Sequence, residues 1–349
     1  MLYKNVNIES FGYEVPPERI SSEEIEARLK PVYERLGLPA GRLELMTGIK
    51  ERRFWHPGTL PSDAAALAGE KAIASANIPR EKIGCLIMCS VSRDFLEPAT
   101  ATIVHNRLGL SEKAMVFDIS NACLGILTGM TVLANMIELG QVEAGLLVSG
   151  ENSRPLLEST IEKLLTDKSI TRKSIKPLFA SLTIGSGSIA VLMSGRKISS
   201  SGHCLHGGAS YSATRYNDLC RGGNPEKGMR DGAETLMNTD SEMLMKRGVE
   251  TAFKTWEIFK ENLKIRADDI DCICTHQVGS AHKKLLFEAL SLDASRDFST
   301  LENFGNTGSV SCPLTAAIAI EKNVIKAGSY FVLLGIGSGI NCTMLGVKW

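Results

Sequence analysis

The sequence predicts an α/β protein assembled from two similar halves, and three observations carry that prediction. Five apolar runs of strand length, at 82–90, 144–150, 188–193, 271–277 and 330–339, lack the alternation of a half-exposed sheet and read as strands covered on both faces. Helical patterns lie between them. Two parts of the chain also repeat one order: a strand, a connecting stretch with a helix, a polar turn, a helix and a strand.

In the first half, "SDAAALAGEKAIASANI" (62–78) reads as a helix, "KIGCLIMCS" (82–90) as a buried strand and "ATATIVHNRLGL" (99–110) as a second helix. A strand-like run ends at Asp118. A polar turn then leads into the helix "LGILTGMTVLANMIELG" (124–140) and the strand "AGLLVSG" (144–150). Residues 152–182 are charged and helical in places, and read as an inserted cap; "SIAVLM" (188–193) is the next strand. Residues 203–233, rich in Gly and Asn, read as a surface crossover. The helix at 241–263 opens the second half. It is followed by the strand "DCICTHQ" (271–277), the helix "AHKKLLFEALSL", the turn "NFGNTGSVS", the helix "PLTAAIAIEKNVIKAG" and the strand "YFVLLGIGSG" (330–339). The expected division is 1–200 and 201–349, with the polar turns of both halves facing one shared site.

Composition excludes several classes. With 39 basic and 39 acidic residues in 349, there is no electrostatic case for nucleic acid as the main partner. Nine cysteines, an odd number, sit mostly in apolar runs, and no secretory leader pattern opens the chain, so reduced thiols and a cytoplasmic location are expected. Cys272 and Cys274 have the wrong spacing for a zinc knuckle, so no metal is expected. No apolar run reaches the roughly 18 residues of a transmembrane helix.

Three residues stand where chemistry is done. Cys123, in "FDISNACLGILTGM" (117–130), follows a strand and a turn at the apparent start of a helix. Free N–H groups and partial positive charge there would lower a thiol's pKa and hold an oxyanion. His276 follows an apolar strand in "ICTHQV", where polar strand-end residues line ligand crevices, and imidazole serves as a base or a donor to an enolate. Asn306, in "ENFGNTGSVS", carries an amide donor among small residues. "GIGSGINC" (335–342) is a second Gly-rich turn, able to set a backbone N–H against a thioester oxygen or to cradle a phosphate, though it matches neither the P-loop nor the GxGxxG spacing.

Taken in order, "NACLG" with Cys123, "THQV" with His276, "FGNTGSVS" with Asn306 and the final "GIGSG" resemble the Cys-His-Asn set of the ketoacyl-ACP synthase III branch of the thiolase superfamily. "TGIKERRFW" (47–55) is similar to that branch's early signature. The resemblance implies a five-layered αβαβα fold of two pseudo-repeated halves, a homodimer, and no cofactor beyond CoA thioester substrates. It implies that Cys123 takes an acyl group, that His276 and Asn306 stabilise the enolate oxyanion of a second thioester, and that the backbone N–H groups of Cys123 and Ser338 hold the acyl-transfer oxyanion. "SVSRDFLEPATATIV" (90–104), "ARLKPVYERLGL", "SATRYNDLCRG" and "LLGIGSGINCTM" are similar to the OleA subfamily, which joins two long-chain acyl-CoAs into a 2-alkyl-3-ketoacid for olefin synthesis.

In that subfamily a glutamate at the place of Glu97 reaches into the partner's site. An unactivated acyl-CoA must lose an α-proton, and Glu97 in an apolar setting would be the base. The alternative reading keeps the fold but uses malonyl-ACP decarboxylatively, which would make an acyl carrier protein a partner. Downstream olefin-pathway enzymes would be partners under the first. The sequence departs from the initiating synthases in having "HQVGSAH" where they continue "HQAN" with a nearby Arg. Lys50, Arg52 and Arg53 form a basic cluster able to meet the phosphates of CoA, or simply a solvated face.

Overall fold

The computed structural model describes residues 1–223, 236–276 and 278–349. Nine of its strands form one sheet: β1 (Val6–Glu14), β2 (Ile83–Met88), β3 (Met115–Asp118), β4 (Ala144–Glu151), β5 (Gly187–Gly195), β6 (Cys204–Ser212), β7 (Cys272–Thr275), β8 (Tyr330–Gly337) and β9 (Asn341–Lys348), in the order β7-β8-β9-β6-β1-β5-β4-β2-β3. The six helices that sandwich it are α1 (Pro61–Ser75), α2 (Thr100–Arg107), α3 (Gly125–Glu138), α4 (Ser241–Leu263), α5 (Ser280–Leu290) and α6 (Ser311–Glu321).

The repeat expected from the sequence is explicit in the sheet. Outward from the centre, β1-β5-β4-β2 and β6-β9-β8-β7 both pair antiparallel, antiparallel, then parallel. β3 extends the first half in parallel, and an isolated parallel bridge, Ile273 to Asp297, takes the equivalent place in the second. β1 and β6 join the halves, through the pair Asn7 with Cys204 and an antiparallel bridge from Leu2 to Gly207. A boundary at 200/201 falls in the connection between β5 and β6.

Side-chain alternation explains the apolar runs. In β2, Ile87 joins the core that Met130 and Leu133 of α3 share with Leu314 and Ile318 of α6 and with Phe331 and Leu333 of β8. Its neighbour Leu86 faces Ala65 and Ala68 of α1 and Val104 of α2 on the opposite side. Trp256 and Phe259 of α4 and Leu286 of α5 cover Ile273 and Val332 on the outer face of the second half. Helices cover both faces of these strands, which is why their runs are apolar without alternation. The layers run helix, sheet, helix, sheet, helix.

The cap extends beyond the expected insert. Leu157, Ile161 and Leu164 of the Arg154–Thr166 helix pack with Ile25, Leu29, Val32 and Leu43 from three N-terminal helices, together with Leu178. The reading of 203–233 as a crossover needs correction, because Cys204–Ser212 is a central strand. A Cβ on Gly208 would lie 1.9 Å from the Met344 carbonyl oxygen, and one on Gly207 2.2 Å from that of Met1. Close backbone approach, not a loop, requires these glycines. Residues 224–233 of that stretch, and Gln277 of "THQV", lie outside the described residues. Among the described residues no helix is long and apolar enough to cross a membrane.

Candidate active site

β3 ends at Asp118, whose carboxylate accepts the N–H groups of Thr100 (3.0 Å) and Ala101 (2.8 Å) and so starts α2. The chain then turns sharply. Ala122 is left-handed (φ 46°), a conformation costing an L-residue about 1 kcal/mol, and a 3₁₀ turn, Ala122–Leu124, leads into α3. Cys123 lies in this strained turn and keeps a partly exposed side. The turn packs against the Gly308–Val310 turn that follows Asn306 and against β8. A Cβ on Gly337, the last residue of β8, would sit 3.5 Å from the Cys123 backbone nitrogen. Ser338 occupies the short turn between Gly337 and its pairing partner Asn341, so this turn is set beside Cys123. Asn341 Nδ2 donates to Asn121 Oδ1 (3.0 Å), and Asn121 Nδ2 donates to Thr128 Oγ1 (2.9 Å), which ties the turn of one half to the turn of the other.

His276 leaves β7 with its N–H donated to the Leu334 carbonyl (2.9 Å), so β8 also anchors the histidine. It is 5% exposed. Burial, with a smaller effect of His282, depresses its pKa to about 3, so the imidazole is neutral at any physiological pH. Its Nδ1 is buried with no hydrogen-bond partner among the described residues. Asn306 is buried and strapped on both sides: its N–H donates to the Thr183 carbonyl (3.0 Å) and its carbonyl accepts from Gly185 (2.9 Å). Its Oδ1 accepts the Gly308 N–H (3.0 Å), which fixes the amide plane.

The Cys123 thiol is pushed up to about 12, by burial first, then by Cys220 and Glu151, against a smaller lowering by a backbone N–H at Cys123 itself. Glu151, at the end of β4, is the functional candidate the sequence reading missed. It is 5% exposed, and its carboxylate accepts from Val91 N–H (2.9 Å), Ser92 N–H (3.0 Å) and Ser309 Oγ (2.6 Å). Ser309 also meets Ser149 (2.7 Å), which meets Ser90 (2.9 Å). The signal was available: a carboxylate directly after an apolar strand, the rule that singled out His276.

Glu97 lies on a loop fixed at both ends. Val91 and Ser92 hang from Glu151, Asp94 accepts the Ser62 N–H (2.9 Å), and Thr100 is held by Asp118. Between these anchors Phe95, Leu96 and Glu97 are exposed, so the apolar setting expected for Glu97 is not supplied by its own chain.

The basic cluster is divided. Lys50 is exposed and paired with Glu302 (2.5 Å), which raises its pKa. Arg53 is largely buried beside Glu51 (3.4 Å) and over the Phe304 ring. Arg52 is fully buried, with Nη1 donated to Ser22 Oγ (2.8 Å), and desolvation lowers its pKa to about 10. The expectation that Arg52 meets CoA phosphates is corrected by this burial; its side chain lies against Gly185 and Gly305, beneath the Asn306 strap.

Comparison with known proteins follows the same lines. Residues 45–154 match the thiolase N-terminal domain, and residues 261–349 the 3-oxoacyl-[acyl-carrier-protein (ACP)] synthase III C-terminal domain. An acyl-CoA:acyl-CoA alkyltransferase of Shewanella oneidensis is 40% identical over 352 residues, covering 100% of both chains. One of Xanthomonas campestris pv. campestris is 37% identical over 349 residues with the same coverage. A cysteine-to-alanine variant of Xanthomonas campestris OleA superposes with a TM-score of 0.94 at 36% identity, covering 100% of this chain and 98% of that one. A cysteine-to-serine variant of that OleA, with bound lauric acid and lauroyl-CoA, gives 0.93 at 36% identity with 100% of both chains covered. Variants of OleA at a glutamate and at a histidine superpose equally well.

Proposed function

The chain belongs to the acyl-CoA:acyl-CoA alkyltransferase (OleA) family of the thiolase superfamily, and on that premise we propose how its residues carry the reaction. It condenses two fatty acyl-CoA thioesters head to head. The first acyl group passes to Cys123. A thiol raised to about 12 is protonated at neutral pH, so its proton leaves as sulfur attacks. Neutral His276, with Nδ1 open, takes that proton and returns it to the departing CoA sulfur. The N–H groups of Cys123 and Ser338 hold the tetrahedral oxyanion.

The second acyl-CoA loses an α-proton to Glu97. His276 and Asn306 donate to its enolate oxygen, the enolate carbon attacks the acyl-Cys123 carbonyl, and the cysteine sulfur leaves. Water then cleaves the remaining thioester, giving a 2-alkyl-3-ketoacid and the second CoA. The convergence of the Cys123 turn, the Asn306 turn and the end of β8 carries this reading. The decarboxylating alternative, with malonyl-ACP from an acyl carrier protein, is less favoured by full-length relatives named for two acyl-CoAs. No resident cofactor enters the scheme; Lys50 and Arg53 are the remaining candidates for the CoA phosphates, and downstream olefin-pathway enzymes take the ketoacid in the cytoplasm.

The enzyme acts as a homodimer in which Glu97 serves the partner's Cys123. Two features support this: β3 is the open edge of the sheet, with Met115 exposed, and exposed Phe95 and Leu96 flank Glu97. Unfolding and refolding a mixture of Cys123→Ala and Glu97→Ala chains tests it. Each homodimer is inactive, and the mixed dimer has one complete site, so about a quarter of wild-type activity returns. No recovery, from chains shown to mix, refutes the shared site.

A further inference from the structure

We propose that Glu151 is a positioning residue: it pins the root of the Glu97 loop and the turn after Asn306 to the strand end beside Cys123. The inference rests on the condensing reading above. Its geometry is that of a hub. Oε1 accepts from Val91 N–H (2.9 Å), Ser309 Oγ (2.6 Å) and Ser309 N–H (3.4 Å), and Oε2 accepts from Ser92 N–H (3.0 Å). Gly308 leaves room for it, since a Cβ there would stand 3.3 Å from Oε1. Among the described residues no cation pairs with it. The donors are three backbone N–H groups and one hydroxyl, and they reach it from both halves of the chain.

That donor set explains why the residue is a carboxylate. Glutamine has the same shape but carries donors on one of its two terminal atoms. Whichever way the amide is turned, its NH2 faces a backbone N–H and a hydrogen bond is lost. The cheaper orientation keeps oxygen toward Val91 and Ser309 and turns NH2 toward Ser92, which removes one of the two Glu151 anchors at the root of the Glu97 loop. Because Glu97 serves the partner's site while Asn306 serves its own, one buried carboxylate sets geometry in two active sites. Its charge also opposes thiolate at Cys123, together with Cys220 and burial.

The test is Glu151→Gln in the full-length dimer, with Ser309→Ala as a second variant should the first fold poorly. Three readouts are compared with wild type: the pH profile of Cys123 alkylation by iodoacetamide, the first-turnover release of CoA, and ketoacid formed from myristoyl-CoA. Glu151→Gln is expected to move the alkylation midpoint to lower pH and to cut ketoacid formation by roughly tenfold or more relative to first-turnover CoA release. Ser309→Ala is expected to lower ketoacid formation while the chain stays folded. An unchanged alkylation midpoint together with an unchanged ratio of CoA release to ketoacid overturns the inference. If wild type itself makes no ketoacid, the condensing reading fails instead, and the alkylation profile still reports on Glu151.

Discussion

Replacing Gly125 by alanine sets two physical effects against each other. Gly125 opens α3 with ordinary helical dihedrals (φ −46°, ψ −56°), so helix propensity alone favours alanine by about 1 kcal/mol. The added Cβ would lie 2.1 Å from the Cys89 carbonyl oxygen, 2.8 Å from its carbon and 3.2 Å from Ser309 Cβ. The first contact is with backbone, so no side chain can rotate away, and about 1 Å of main-chain movement is needed. Overpacking of this kind costs about 1–3 kcal/mol, and more where backbone must shift, so sterics win. Cys89 precedes Ser90 of the buried serine chain, and Gly125 follows Cys123 by two residues, so the displacement falls on the Cys123 turn. With the clash at the upper end, about 3 kcal/mol, less about 1 for propensity, Gly125→Ala is predicted to lose about 2 kcal/mol in urea unfolding and to slow acylation of Cys123 by roughly a hundredfold. Gly84→Ala, whose Cβ would meet Val142 at 3.4 Å, serves as the near-neutral control. A Gly125→Ala protein as stable as wild type, with normal acylation, would show that the tight seat of α3 is not what holds Cys123.

Three further outcomes are expected. His276 and His282 are neutral in the fold, at about 3 and about 4, against roughly 6.5 when unfolded. As pH falls below 6.5 the unfolded chain binds protons first, so the stability each provides is full above that pH and declines by about 1.4 kcal/mol per unit toward the folded value. Urea unfolding at pH 7 and pH 5 should show this loss, and equal stability at both would contradict it. Asn121→Ala or Asn341→Ala breaks the tie between the Cys123 turn and the Ser338 turn, with an expected loss of about 1 kcal/mol and slower acylation. The double variant should be no worse than the singles, and strictly additive losses would argue against a direct coupling. Lys50→Ala should raise KM for acyl-CoA with little change in kcat or stability; an unchanged KM would return Lys50 to the solvated surface.

Helices with a periodic apolar face and strands with an unbroken apolar run were legible. The helix expected at 241–263 is Ser241–Leu263, and the strand expected at 144–150 is Ala144–Glu151. Three central strands were not. β1 carries buried Asn7, Glu9 and Ser10, and β6 carries Gly207 and Gly208, so neither offers the unbroken apolar run that marks a doubly covered strand. β9 follows β8 after a three-residue turn and was absorbed into a Gly-rich motif.

At the site, Cys123, His276 and Asn306 could be picked out because each stands at a strand end or tight turn. What those positions do to charge could not. The sequence shows a thiol before a helix but not the burial that outweighs the helix, nor Glu151 beside it. It shows a basic cluster but not that Arg52 points into the protein. It shows Glu97 beside Phe95 and Leu96 but not that all three stand exposed on one loop.

The most direct test of the central claim supplies purified protein with a single saturated acyl-CoA and no malonyl donor, and measures ketoacid and free CoA together. The expected product is a 2-alkyl-3-ketoacid that keeps every carbon of both acyl chains, with two CoA released for each product and no product from Cys123→Ala or Glu97→Ala. Acylation of Cys123 that stops after one CoA per site, with product appearing only when malonyl-ACP is added, would contradict it.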